Sequence, residues 1–107
     1  MRILDFIISK QNIECDPRCD FSGIASGTRG YLLARFQFSA DWKGCKKVAV
    51  FSCRGNEFPT AIINGMCLIP SEALIGSEVS VRVVGKRENY RITTGATSFA
   101  QTEGVFE

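Results

Sequence analysis

Apolar and polar residues alternate in short segments along this chain. The clearest case is segment 31–38, in which every second residue from Leu32 to Phe38 is apolar and shares one face. A period of two residues is typical of a β-strand that packs one face on a core. Alternation, or enrichment in β-branched and aromatic residues, predicts seven or eight short strands, drawn from segments 3–9, 31–38, 47–53, 58–63, 66–69, 78–84, 90–94 and 97–101.

Turn-forming residues separate these segments. The dipeptide Asn64-Gly65 is the strongest hairpin signal, because both residues tolerate positive φ. Segment 70–74 opens with proline and predicts a single turn of helix. The stretch 10–28 is mostly polar, but Phe21 and Ile24 within it are expected to pack beneath the sheets, since solvated loops rarely carry such residues.

The pattern as a whole predicts an all-β domain. Short strands separated by turns, without an amphipathic helix longer than one turn, indicate an antiparallel β-sandwich in preference to a small barrel. A chain of 107 residues is one ordinary domain. We expect the sandwich to span residues 1–101 and residues 102–107 to form a short C-terminal tail.

Composition narrows the function classes. Hydrophobic residues make up 45% of the chain and charged residues 22%, as in a folded soluble protein and unlike a disordered one. The formal net charge of +2 is too small to predict a nucleic-acid-binding protein. No apolar run is long enough for a membrane span. The apolar stretch at the N-terminus is short and contains a charged residue, so it does not match the pattern of a signal peptide. Neither nucleic acid nor membrane is an expected partner.

The reactive side chains do not form a catalytic pattern. The chain has no histidine, which removes the commonest general base and metal ligand. Cys15 and Cys19 are the only closely spaced cysteine pair, and zinc needs four ligands. The odd number of cysteines predicts free thiols in a reducing cytosol. We therefore expect no enzyme, no metal and no cofactor. The carboxylates show no pairing that a hydrolase would need: Asp16, Asp20, Asp41, Glu57, Glu72, Glu78 and Glu88.

Two groups of surface residues leave binding roles open. Basic residues near turns and strand ends could form one patch, although a solvated surface is the more ordinary interpretation. Tyr31 and Tyr90 are the only aromatic platforms for a carbohydrate. The basic residues are Lys43, Lys46, Lys47, Arg54, Lys86, Arg87 and Arg91.

Two longer segments carry a resemblance to a known family. Phe36-Gln37-Phe38-Ser39-Ala40-Asp41-Trp42-Lys43-Gly44 is similar to the Phe-x-Phe-Ser-x-Asp-Trp-x-Gly segment of an immunoglobulin-like domain in tail and baseplate proteins of phages of Gram-positive bacteria. Cys67-Leu68-Ile69-Pro70-Ser71-Glu72-Ala73-Leu74 matches a second segment of that domain, Cys-x-Ile-Pro-x-Glu-x-Leu. With the flanking strands, the resemblance covers most of the chain.

The resemblance implies an immunoglobulin-like sandwich in the virion, assembled in the host cytoplasm. It implies a non-enzymatic docking module of the tail or baseplate that contacts other virion proteins and is present in several copies or as a homo-oligomer. Capsid decoration, anchoring of a head fibre and carbohydrate-binding receptor recognition are the alternatives. In that family a fibre, receptor-binding or catalytic domain often follows, and none lies within these 107 residues, so direct host recognition is not expected.

The matched segments also supply candidate structural anchors. Asp41 is expected to accept backbone N–H bonds within its turn, and Trp42 to cap the edge of the sandwich. Gly44 is expected to let the chain reverse beside that ring. Pro70 and its helical turn should close the opposite side. The full set of predicted anchors is Phe36, Phe38, Asp41, Trp42, Gly44, Phe51, Pro70 and Leu74.

The chain ends supply candidate docking residues. The first predicted strand carries one charge, Asp5, and is expected to lie at an exposed sheet edge that needs a partner. Segment 101–107 is apolar enough to pack on a neighbouring subunit or another virion protein, and a frayed tail is the equal alternative. The predicted docking residues are Ile3, Phe6, Ile8, Val105 and Phe106.

Overall fold

The computed structural model describes residues 1–102, and these form a two-layer β-sandwich. They contain nine strands and two 3-10 helices, at Ala40–Trp42 and Ser71–Ala73. The all-β prediction is confirmed, with one strand and one short helix more than expected. The strands are β1 (Arg2–Ser9), β2 (Asn12–Cys15), β3 (Leu32–Phe38), β4 (Lys46–Cys53), β5 (Asn56–Ile62), β6 (Met66–Leu68), β7 (Glu78–Arg87), β8 (Tyr90–Thr93) and β9 (Thr97–Ala100).

The smaller sheet has the order β2-β1-β3-β6. Its central pair, β1 and β3, runs parallel, with Arg2 opposite Leu32 and Ile8 opposite Phe38. The other strand pairs are antiparallel, so the antiparallel prediction fails for this one pair. A parallel pair needs a long connection, and here β2 and the loop between β2 and β3 provide it. β1 is therefore an inner strand, and the prediction that it lies at an exposed edge is wrong.

The larger sheet has the order β5-β4-β7-β8, and β9 pairs with the first half of β7. Tight turns with positive φ at Arg54 and Gly55 connect β4 to β5. The predicted turn at Asn64-Gly65 also forms, with φ of 52° and 76°. It joins strands of different sheets, however, because β5 and β6 meet only at the bridge between Ile63 and Met66.

The core lies between the two sheets and is rich in aromatic rings. Phe6 stacks on Phe36 with ring centroids 5.3 Å apart, and it meets Phe21 edge-on at 5.5 Å. Phe99 of the last strand lies 6.2 Å from Phe6. Ile24 is buried in the same cluster. The expectation that Phe21 and Ile24 pack beneath the sheets is thus confirmed.

Trp42 lies inside the molecule and not at an edge. Its side chain is completely buried, its ring centroid is 5.4 Å from that of Phe38, and its Nε1–H donates to the carbonyl of Lys10 at 2.9 Å. Gly85 of β7 makes room for it, since a Cβ at that position would stand 2.7 Å from Cε3 of the indole ring. The glycine beside the tryptophan is therefore Gly85.

The remaining predicted anchors divide between core and surface. Phe36, Phe51 and Leu74 are buried, and Phe38 and Pro70 are half-buried. Asp41 and Gly44 are exposed, which corrects their assignment as core residues. The Asp41 carboxylate accepts from the Ser39 hydroxyl at 3.0 Å. Gly44 has a φ of +79° and faces Arg87.

The short strand β2 was missed by the sequence analysis. It pairs with β1 through four residues and buries only Ile13. One apolar residue among polar neighbours is too little alternation to identify a strand, and only the pairing with β1 makes it one. In residues 1–102 no helix is long and apolar enough to cross a membrane.

Candidate docking surface

Three cations stand in one row on the outer face of the larger sheet. Lys46 of β4 lies directly opposite Lys86 of β7, which in turn lies directly opposite Arg91 of β8. All three side chains are exposed. Residues directly opposite in an antiparallel pair point to the same side with their Cβ atoms roughly 5 Å apart. We call Lys46, Lys86 and Arg91 the cation row.

A less polar row borders the cation row. Val48, Val84 and Thr93 are the next outward-facing residues of the same three strands and are again directly opposite one another. Both valines are half-buried. The cation row and the two valines line an open groove, which also includes Arg87 and Glu88. The groove therefore combines an apolar floor with a strongly basic rim.

Arg87 is held in place at the end of the groove. Its Nη1 donates to the carbonyl of Lys43 at 2.6 Å, and its guanidinium lies 4.7 Å from the centroid of the Tyr90 ring. The Tyr90 hydroxyl donates to the carbonyl of Asp41 at 2.9 Å. These contacts fix the side chain, but no carboxylate of residues 1–102 forms an ion pair with its guanidinium.

The cation row has no counter-ion within residues 1–102. The ion pairs of this part of the chain lie elsewhere. The pair of Arg82 with Glu57, at 3.2 Å, joins the two outward rows beyond the valines, since Arg82 lies opposite Val50 and Glu57 lies opposite Ser52. Glu88 lines the groove without forming an ion pair. Four cations thus face one carboxylate, so the groove is a positive site.

The outer face of the smaller sheet has a different character. Ile3, Leu33 and Leu68 lie directly opposite one another on β1, β3 and β6 and form an apolar row. Leu68 is 44% exposed, and the other two are half-buried. The adjacent row contains the ion pair of Asp5 with Arg35, at 2.6 Å. One outer face therefore carries an apolar row beside an ion pair, and the other carries the cation row.

The predicted docking residues of β1 separate by face. Ile3 belongs to the apolar row on the surface. Phe6 and Ile8 are each 1% exposed and point into the core, so their assignment to a docking surface is wrong. Alternate residues of a strand point to opposite faces, which puts both on the core side together with Leu4.

The chain is held in the fold as far as Thr102. The backbone N–H of Gln101 donates to the carbonyl of Ser77, and that of Thr102 donates to the carbonyl of Ile24, both at 2.7 Å. Residues 101 and 102 are thus not free to dock elsewhere. The docking prediction for Val105 and Phe106 lies outside the described residues.

The cysteines are dispersed free thiols. Cys45, Cys53 and Cys67 are buried, while Cys15 and Cys19 are half-buried near the surface. Burial raises the pKa of the Cys67 thiol to about 12 and also raises that of Cys15. No three cysteine, aspartate or glutamate side chains of residues 1–102 cluster as metal ligands would.

The carboxylates with shifted pKa values serve local structure. Asp16 accepts from the side chain and backbone of Arg18, and these bonds lower its pKa. Asp20 accepts from the hydroxyl and backbone of Ser22, which lowers its pKa in the same way. Both sit in the loop before β3. Each carboxylate is occupied by residues two positions away in its own turn.

The two tyrosines do not make a joint platform. Tyr31 is exposed beside the start of β3, whereas one contact of the Tyr90 ring is already taken by Arg87 and its hydroxyl is bonded to Asp41. A sugar that stacks on an aromatic ring needs an open ring face, and of these two tyrosines Tyr31 is the one that provides it.

The basic patch was only partly accessible to sequence analysis. Of the seven basic residues named from the sequence, the groove collects Lys46, Lys86, Arg87 and Arg91. Lys47 instead points inward, with Nζ 5.0 Å from the Phe38 ring centroid. The missing information was the register of β4, β7 and β8, which no single segment contains.

No model of a known protein family matches this chain, and no curated protein matches it.

Proposed function

We propose that this chain is a non-enzymatic structural module of a bacteriophage particle that docks other virion proteins in the tail or baseplate. The cation row is the observation that carries the docking part of the proposal. Like charges placed directly opposite each other on adjacent strands destabilise a sheet. Two such contacts in one row, with no counter-ion in residues 1–102, are accounted for when an anionic partner covers them.

The two outer faces support an adaptor role. A sandwich has two outer surfaces, and here one is basic with an apolar floor while the other has an apolar row, Ile3, Leu33 and Leu68. Two chemically different faces can bind two different neighbours at once. The phage setting comes from the resemblance of the segments around Trp42 and Pro70, where Trp42 is a core residue of the sandwich.

Incorporation into particles tests the proposal. A phage lacking its own copy of the gene is supplied with wild-type protein, with Lys86→Glu, or with Arg29→Glu as the matched charge reversal at an exposed site outside the groove. We expect wild type and Arg29→Glu in purified particles at a constant copy number, and Lys86→Glu to be strongly reduced. Absence of the wild-type protein from particles refutes the virion proposal; equal incorporation of all three refutes the role of the cation row.

Electron microscopy of labelled particles then separates the alternatives within the virion. Label on the tail or baseplate supports the proposal as stated. Label distributed over the head instead identifies a capsid decoration or head-fibre-anchoring protein.

A further inference from the structure

The groove at the cation row is complementary to an occupant that combines negative charge with apolar side chains. The occupant needs negative charge to pair with Lys46, Lys86 and Arg91. It also needs apolar side chains to cover the floor formed by Val48 and Val84. A phosphate polymer would satisfy the cations and leave the valines in water. A peptide that alternates carboxylates with apolar residues satisfies both, because an extended segment can place its side chains on the rim and the floor together.

The chain itself contains such a segment. Residues 103–107 read Glu-Gly-Val-Phe-Glu, with two carboxylates flanking two apolar side chains. They follow directly on Thr102, the last residue that the structure describes, whose backbone N–H and carbonyl are both hydrogen-bonded within the fold. Their composition is complementary to the groove in charge and in apolar content.

This segment cannot reach the groove of its own copy. Thr102 follows β9, whose residue Ala100 lies opposite Glu78 at the beginning of β7. The cation row crosses β7 at Lys86, eight residues further along, which is about 27 Å in a strand. Five extended residues span at most about 18 Å. The groove that residues 103–107 can occupy therefore belongs to another copy.

We infer that residues 103–107 of one copy bind in the groove at the cation row of a second copy. The contact joins opposite ends of the molecule and is head-to-tail, so it leaves one free segment and one free groove at the ends of every open assembly. Such contacts build rings or filaments, not closed twofold dimers. The inference rests on the proposed docking function of the cation row and names its occupant.

Two variants, each missing one half of the contact, test the inference by mixing. Lys86→Glu has the segment but a disabled groove, and deletion of 103–107 has the groove but no segment. In sedimentation at low salt and high protein concentration, we expect wild type to form species that grow beyond a dimer. We expect each variant alone to stay monomeric, and their mixture to give a one-to-one dimer and nothing larger. Arg29→Glu should assemble like wild type.

A peptide-binding assay tests the same contact when self-association is too weak to detect by sedimentation. A labelled peptide of sequence 102–107 is titrated into the 103–107 deletion protein, whose melting temperature is first shown to match that of wild type. We expect binding that weakens at least tenfold when both peptide glutamates are replaced by glutamine, or when the protein carries Lys86→Glu. A short DNA oligonucleotide serves as the polyanion probe.

The results of these experiments distinguish an error in the identity of the occupant from an error in the proposed docking function. Assembly by the deletion variant, or no peptide binding at millimolar concentration, overturns the inference. Tight binding of the oligonucleotide without binding of the peptide also overturns it and makes the groove a polyanion site. If Lys86→Glu lowers incorporation into particles while deletion of 103–107 does not, the docking function stands and another acidic partner occupies the groove.

Discussion

Trp42 combines a buried ring with a satisfied polar atom. The indole lies between Phe38 and Gly85, and its N–H reaches the carbonyl of Lys10 at the turn between β1 and β2. It thus contacts the turn of one sheet and a strand of the other. A side chain placed in this way fixes how the two layers meet.

Replacing Trp42 tests this role. Trp42→Ala should lower the free energy of unfolding by about 3–5 kcal/mol, the usual range for a buried large aromatic. Trp42→Phe keeps much of the ring contact and loses the hydrogen bond to Lys10, so it should cost clearly less. Denaturant unfolding measures both. An alanine variant that melts within a degree or two of wild type would contradict the burial of this ring.

Burial of the Cys67 thiol makes the free energy of unfolding decrease at alkaline pH. Burial raises the pKa of its thiol from 9.0 to about 12, so the native state keeps a proton that the unfolded state releases above about pH 9. Rising pH therefore favours the unfolded state. Between about pH 9 and 12 this one group should lower the free energy of unfolding by about 1.4 kcal/mol per pH unit.

The comparison with Cys67→Ala isolates that group. Every other group is common to both proteins, so the difference between their free energies of unfolding should be flat below pH 9 and should change steadily above it. Denaturant unfolding at a series of pH values measures it. Parallel pH profiles for the two proteins would refute the raised pKa.

At the scale of elements, the cation row places like charges directly opposite one another on three adjacent strands, which lowers the stability of the sheet. Lys86 sits between Lys46 and Arg91, so Lys86→Glu replaces two repulsive cross-strand contacts by two attractive ones. The variant should melt a few degrees higher than wild type at low salt, and the difference should shrink in high salt as the charges are screened. Arg29→Glu should show no such gain.

Thermal unfolding at two salt concentrations checks this expectation. A Lys86→Glu variant that is less stable than wild type would show that the row is not repulsive. A gain in stability would also mean that any loss of docking by the same variant does not come from unfolding.

The strands could be predicted from the sequence where apolar and polar residues alternate over a long segment and the residues of the inner face are apolar. β3, β4 and β7 follow this rule, and all three lie within or next to predicted segments. β2 was missed because a single buried residue, Ile13, carries no period. The parallel pairing of β1 with β3 was also hidden, since alternation fixes which face of a strand is buried but not which strand lies beside it.

The same limit applies to the candidate site. The basic residues were visible in the sequence, whereas their alignment in one row depends on the pairing of β4 with β7 and of β7 with β8. Lys47 shows the difference, because it neighbours Lys46 in sequence and points to the opposite side of the sheet, over Phe38. Adjacent charges in a strand do not make one surface.

At the scale of the whole molecule, the two faces and the two ends are distinct. The basic groove lies towards the β8 end of the larger sheet, and Thr102 lies towards the other end. This polarity is what the mixing experiment with the two half-contact variants reads out.

The contact of Phe6 with Phe99 has a consequence for biosynthesis. Of the described strands, β1 is synthesised first and carries the buried side chains of Leu4, Phe6 and Ile8, whereas β9 is synthesised last and supplies part of the cover for them. A nascent chain that has not yet reached Phe99 can cover Phe6 with Phe21 and Phe36 but lacks the contact that β9 supplies. This core can therefore be completed only after the chain has been translated as far as Phe99.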